Sequence, residues 1–494
     1  MLRTSVDGRV LDLLVRGARL AAVADAGAPG AALPAGGAQT VDVHVQGATI
    51  ADIVPAADEP PEARRVVDAR GCLVAAPYVE PHVHLDSVLT AGEPRWNESG
   101  TLWEGIACWA ERKPGLSRRD VHDRVSEVLR WYVANGVLHV RSHVDVTDPG
   151  LVALDALLEL REEVRDVLDL QLVAFPQEGI CSFPGGEGLL EEAARRGVDA
   201  IGAIPHFEDT REDGIRSLEI AVEVAVRHGL LVDVHCDEID DEQSRFSEVL
   251  ATHALRSGLR DRVTASHTTA MGSYNPAYSY KLHRILLRSG VNLVCNPLVN
   301  LHLQGRFDGY PKRRGLTQVK ELLAAGINVA FGHDDVMDPW YPLGTADPVL
   351  VAHVGAHATQ LMAPAEVVQC HRMVTDRAAR VLALGEDYGV RRGAPANFLL
   401  LAASDPADVV RRLVRPSVVV SRGRIVAQRD PSAARLRWPA RVPDGTEHTG
   451  GTEHTGGTGH TEEVDFVRAC DAEGATWRRG PVVGPQAADG AGER

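Results

Sequence analysis

No Cys-x-x-Cys pair occurs in this sequence, and its seven cysteines, Cys72 to Cys470, are scattered and odd in number. That distribution argues against a disulfide framework and for a reducing compartment. No run of about 18 apolar residues is present, so no membrane span is expected. The N-terminal segment also lacks a clean apolar stretch, because Asp12, Arg16 and Arg19 interrupt it, and a secretory signal is not expected. These absences together predict a cytoplasmic protein. Positive charge is in short supply as well. Lysine and arginine total 52 against 68 acids, a net charge of −16. An excess of that size repels polyanions, which makes nucleic acid and anionic membranes poor partners and leaves a small neutral substrate compatible.

What is present has the balance of a folded globular chain, and 494 residues exceed the usual span of one core. Residues 1–72 read as short β segments (Val10–Val15, Thr40–Val45, Thr49–Val54) separated by Gly, Ala and Pro clusters. From 73 to 385 the rhythm changes to eight apolar strand candidates. They are Leu73–His84, Leu138–Val146, Leu170–Gln177, Ala200–Pro205, Leu230–Glu238, Val263–His267, Val291–Pro297 and Asn328–Asp335. Helical periodicity fills the gaps, as in Ser117–Asn135, Asp213–His228, Glu242–Gly258, Tyr278–Gly290 and Thr317–Ala325. This alternation predicts an α/β chain, a (β/α)8 TIM-type barrel. Residues 386–435 return to short strands, predicted to complete a small β domain with the N-terminal segment. Residues 436–494 contain the near repeat GTEHTG-GTEHTG-GTGH and read as a low-complexity, disordered tail.

The chemistry begins at His82-Val83-His84, which ends the first barrel strand. Alternation points both imidazoles to one face. Among 20 histidines, about one His-x-His arises by chance, so the pair is not diagnostic alone. Position adds weight, because barrel active sites lie at the C-terminal strand ends. His235 ends the fifth strand, His267 the sixth and Asp334 the eighth. Such an N/O donor set suits one divalent ion, Zn²⁺ or Fe²⁺, with a position left for water. His267 is taken as a catalytic neighbour, not a ligand. Glu238, three residues beyond His235, can exchange protons over the metal; a solvated acid in a stretch also holding Asp237, Asp240 and Asp241 is an equal reading. His353 and His357 read as a helix-surface pair, since HVGAH lacks the Glu of His-Glu-x-x-His. His448, His454 and His460 belong to the tail, and the basic run Pro311–Arg314 reads as a loop.

Long segments resemble the bacterial cytosine deaminases of the amidohydrolase superfamily. They include VEPHVHLD (79–86), SGTLWEGI (99–106), AFPQEGI (174–180), GAIPHFE (202–208), DVHCDEIDDEQSRF (233–246), TASHTTAM (264–271), NPLVNLHLQGRFD (296–308) and GHDDVMDPWYPLGT (332–345). The resemblance spans about residues 8 to 428. It implies that His82, His84, His235 and Asp334 bind one iron or zinc ion, with Glu238 as proton shuttle and His267 assisting at the attacking water. It implies that Gln177 reads the pyrimidine edge and that Asp335 and Trp340 border the substrate. The implied reaction is hydrolysis of cytosine to uracil and ammonia by a metal-activated hydroxide, within pyrimidine salvage. A homo-oligomer, typically a hexamer in this family, is implied too. Binuclear relatives use a carboxylated lysine near the fourth strand; no lysine lies between Lys113 and Lys281, which favours a single metal. The alternative deaminase architecture, built on Pro-Cys-x-x-Cys, is excluded. Ser87-Val88-Leu89 is less polar than the family's usual residues, so another amino-substituted ring (isocytosine, a creatinine-like ring or a triazine) is the rival substrate.

Overall fold

Buried on both faces, the apolar runs behave as parallel-sheet strands. In the computed structural model, which describes residues 10–20 and 40–429 and the backbone of two later strands, eight of them form one parallel sheet. They are β1 (Tyr78–Val83), β2 (Val137–Asp145), β3 (Asp169–Phe175), β4 (Ala200–Ile201), β5 (Leu231–Cys236), β6 (Val263–His267), β7 (Asn292–Cys295) and β8 (Val329–Phe331), paired in chain order. The sheet closes on itself. Val83 bridges Asp334; the His84 N–H donates to Asp334 O (2.9 Å) and the Asp334 N–H to His82 O (2.8 Å). The fold is a (β/α)8 barrel.

Local signals set the surrounding helices. Ser117, Thr210 and Asn275 cap Arg118–Ala134, Arg211–His228 and Pro276–Ser289 by accepting from backbone N–H groups three residues on. Gly229 and Gly290 end the last two in the left-handed conformation. Val121, Val125, Val128 and Leu129 form one buried stripe, packed in the barrel core.

A second, mixed sheet joins the chain's two ends. Its main path runs Arg424–Gln428, Pro416–Ser421, Phe398–Leu401, Leu73–Ala75, Leu13–Leu20, Val41–Gln46, Thr49–Pro55. Leu13, Val15, Val45, Ile50 and Phe398 supply its separate core.

Three elements differ from the sequence reading. Leu73–Ala75 is not the start of the first barrel strand; it pairs with Leu13–Leu20 and Phe398–Leu401 in the small sheet, and the chain passes through Pro77 before β1. The fourth and eighth strands are shorter than expected. β8 stops at Phe331, and beyond it only the single bridge from Asp334, with a left-handed φ of 71°, reaches Val83. In the segment expected to be a featureless tail, Ala433–Pro439 pairs antiparallel with Thr461–Val467. The rest of the tail, with His448, His454 and His460, lies outside the described residues.

Candidate active site

The barrel closure gathers the site. His82 and His84 come from β1 and its end, His235 from β5, and Asp334 from just beyond β8. One donor atom from each lies within 4.8 Å of all the others, and all four residues are buried. His84 Nε2 stands 2.9 Å from His235 Nε2; Asp334 Oδ1 lies 3.2 Å from His82 Nε2 and 3.6 Å from His84 Nε2. Nitrogens bound about 2.0–2.1 Å from one ion stand roughly 3 Å apart, so the spacing fits a shared cation.

The protonation states fit it as well. Burial lowers His84 to about 3 and holds His235 well below the imidazole range, reinforced by neighbouring imidazoles, so both keep lone pairs at neutral pH. Burial pushes Asp334 up, but the surrounding imidazoles, His267 and His82 first, outweigh it and keep the carboxylate ionised. His82 has its tautomer set from behind. Its Nδ1 lies 2.9 Å from Ser266 Oγ, which donates to Asp233 Oδ1 at 2.7 Å. The serine therefore accepts from Nδ1–H, leaving the buried Nε2 without a hydrogen-bond partner and free to ligate. Arg141 holds Asp233 in place at 2.9 Å. Below the ligands, Glu80 Oε1 accepts the N–H groups of His82 and His333, both at 3.0 Å, where the pairing of β1 with β2 slips register.

Glu238 is buried, not a solvated loop acid. Burial first, then the charge of Asp334, raises its carboxyl well above the usual range, which favours the protonated form. Its Oε1 lies 3.2 Å from His267 Nδ1, and Asp334 Oδ2 lies 3.7 Å from the same atom. His267 stays outside the four-donor group; it takes a left-handed φ of 68°, and Asn300 Nδ2 lies 3.1 Å from its Nδ1.

One cavity unites these groups. His84, His235, Asp334, Glu238 and His267 form one wall; Gln177, Asp335 and Trp340 also line it, with Leu102 and Leu303 as apolar surface. Asp335 is raised by burial and by the charges of Asp338 and Asp334, and its Oδ1 has no partner among the described residues. Ser87 does not line the cavity; its hydroxyl donates to Asp338 Oδ2 at 2.9 Å and steadies the loop carrying Asp335 and Trp340. The helix Leu102–Arg112 covers the pocket. Thr101 caps it, and at Gly105 a Cβ would stand 2.4 Å from Trp340 Cδ1, an approach only glycine permits.

The structure thus brings together His82, His84, Gln177, His235, Glu238, His267, Asp334, Asp335 and Trp340. His353 and His357 join no donor group among the described residues; His353 Nδ1 lies 2.9 Å from Val410 O. The 311–314 run is a self-tied loop, with Arg313 on Asp308 at 2.7 Å. Sequence reasoning missed Ser266 and Asp233. The one available signal was Asp233-Val-His235, whose alternation puts the carboxylate on the ligand's face.

Fold and site together define a metal-dependent hydrolase: the chain belongs to the amidohydrolase family, whose profile matches residues 65–427. More particularly, it is similar to the crystal structure of 5-methylcytosine deaminase from Klebsiella pneumoniae with 5-fluorocytosine bound. The two are 45% identical with a TM-score of 0.81, over 87% of this chain and 100% of that one. It is 28% identical over 404 residues to pterin deaminase of Rhizobium rhizogenes, covering 81% of this chain and 91% of the relative. It is 26% identical over 368 residues to the N-isopropylammelide isopropyl amidohydrolase of a Pseudomonas species, covering 73% and 88%.

Proposed function

We propose that the enzyme hydrolytically deaminates a cytosine ring, either cytosine itself or a 5-substituted cytosine, releasing the corresponding uracil and ammonia. The observation that carries this reading is the placement of the buried Glu238 carboxyl beside the cation donors, in the same cavity as the Gln177 carboxamide. The 45% identity to a 5-methylcytosine deaminase supports the choice of ring. His82, His84, His235 and Asp334 would hold one divalent ion. Such an ion supplies Lewis acidity and makes water acidic enough to lose a proton near neutral pH.

The protein's own groups then move the remaining protons. Gln177 orients the ring through its carbonyl and ring-nitrogen edge. Asp334, with His267 alongside, aligns the water and accepts its proton as oxygen bonds to C4. Glu238 gives its proton to N3, so the added electron pair has a place to go. Glu238 then takes up a proton from the new C4 hydroxyl and delivers it to the exocyclic nitrogen. The C4–N bond breaks, ammonia leaves, and the C4 carbonyl forms; the proton left on Asp334 then returns to Glu238 past His267 Nδ1, which lies 3.7 Å from the one carboxylate and 3.2 Å from the other, restoring both acids.

Ammonia release from cytosine, 5-methylcytosine, 5-fluorocytosine, isocytosine, creatinine, a pterin and an aminotriazine tests the reading on metal-reconstituted protein. The cytosines should rank first. A pterin or triazine ranking clearly above them would transfer the same machinery to that ring, as the pterin and ammelide relatives suggest. Glu238→Gln should bind metal and fold normally yet lose about 10²-fold or more in turnover; retention of more than about a tenth of the activity would remove Glu238 from the proton path.

A further inference from the structure

Gln177 carries ring recognition in this reading, yet its carboxamide has no hydrogen-bond partner among the described residues. Its aim therefore comes from the backbone that bears it, the turn following β3. Two buried anchors hold that turn from opposite sides. On one side stands Glu208, from the loop after β4. Its Oε1 accepts the N–H groups of Ile180 (2.7 Å) and Cys181 (3.2 Å). Its Oε2 accepts the Ser182 N–H and the Ser182 hydroxyl, each at 2.8 Å. No cation pairs with Glu208 among the described residues, so all its bonds serve this turn. A carboxylate seated in successive backbone amides fixes their conformation, and charge-assisted bonds of this kind are the strong ones. Gly179 completes the fit: its φ is +85°, and a Cβ there would stand 2.7 Å from Glu208 Oε2.

On the other side, Lys113 Nζ holds Glu178 and also bonds Asp145 Oδ2 at 2.9 Å and Thr147 Oγ1 at 2.8 Å. Asp145 Oδ1 in turn lies 3.4 Å from the N–H of Gln177. Gln177 is thus framed between a fixed residue 178 and fixed residues 180–182.

We infer that Glu208 is a positioning residue for ring recognition: it shapes residues 176–182 and so sets the reach of Gln177, without itself touching substrate or cation donors. Glu208 does not line the cavity. The inference rests on the proposed role of Gln177. Glu208→Gln keeps the size of the side chain but turns an NH₂ group toward backbone donors, which leaves buried N–H groups without an acceptor.

The test is a double-mutant cycle of Glu208→Gln with Gln177→Ala, run on whichever ring the wild-type protein hydrolyses best, with bound metal measured in every variant. Glu208→Gln alone should raise KM about tenfold, with kcat within about threefold and metal content unchanged; in the Gln177→Ala background it should change kcat/KM less than about twofold. Glu208→Asp should recover part of the KM. Additive effects in the cycle, or equal losses of kcat and metal, would overturn the inference. If Glu208→Gln does not fold, Gly179→Ala should give the same KM signature and the same cycle; a normal KM there overturns it equally. A different preferred ring would displace cytosine and leave the Glu208 test intact, whereas no turnover on any ring, or an unaltered KM in Gln177→Ala, removes both.

Discussion

At His82, one serine decides which ring nitrogen faces the cation. Ser266 can accept from Nδ1–H only because its own proton goes to Asp233. Ser266→Ala removes that acceptor and lets the imidazole sample the wrong tautomer. Outer partners of this kind are worth about 10–100-fold in metal affinity. Titrating the variant with a competing chelator should show a loss in that range with the barrel's circular dichroism unchanged; wild-type retention would show that packing alone orients His82. The four donors and His267 were legible in the sequence because strand alternation and strand-end position are one-dimensional signals, whereas Glu238 stayed an equal choice until the family resemblance singled it out. Ser266 was not, because a contact between facing side chains on β5, β6 and β1 leaves no spacing signature, and Asp233 showed only through its alternation with His235. The burial that makes Glu238 a proton donor was equally invisible, since its acidic neighbours make the stretch look solvated.

At the scale of elements, the helix Leu102–Arg112 shows how a cover is fitted. It lies so close to the Asp335–Trp340 loop that Gly105 packs directly on the indole. In an exposed helix, Gly→Ala stabilises by roughly 0.5–1 kcal/mol. Here the added methyl overlaps Trp340, and overpacking costs about 1–3 kcal/mol. Gly105→Ala should therefore lower the melting temperature and, by displacing Trp340 into the cavity, raise KM; a higher melting temperature with unchanged KM would refute the close fit. Elements whose ends carry Ser, Thr, Asn or Gly were readable to within a few residues, as Ser117 and Gly290 illustrate. The covering helix was not read as an element, because its burial depends on Trp340 and Leu303 far along the chain. Leu73–Ala75 was misassigned for a related reason: an apolar run does not say which of two sheets it enters.

For the whole molecule, buried acids tie stability to pH. Burial raises Glu80 to about 8 in the fold, against an ordinary 4.5. The folded protein keeps a proton that the unfolded chain has already released, so this contribution is full below about pH 4.5 and is lost as pH rises through about 8. The melting temperature of metal-free protein should fall between about pH 5 and pH 8.5, and Glu80→Gln, which cannot ionise, should flatten that slope. Identical slopes in the two proteins would place the titration elsewhere, with Asp86, raised by burial to about 7, as the next group to replace.

Barrel closure has a consequence for how the enzyme matures. The bridge from Val83 to Asp334 joins the first strand to residues that follow the eighth, and the fourth donor arrives with it. A chain still on the ribosome displays His82 and His84 early but has no cage until Asp334 has emerged. The small sheet waits longer still, for Phe398–Leu401 to pair with Leu73–Ala75. The complete donor set therefore exists only once the eighth strand has closed the barrel.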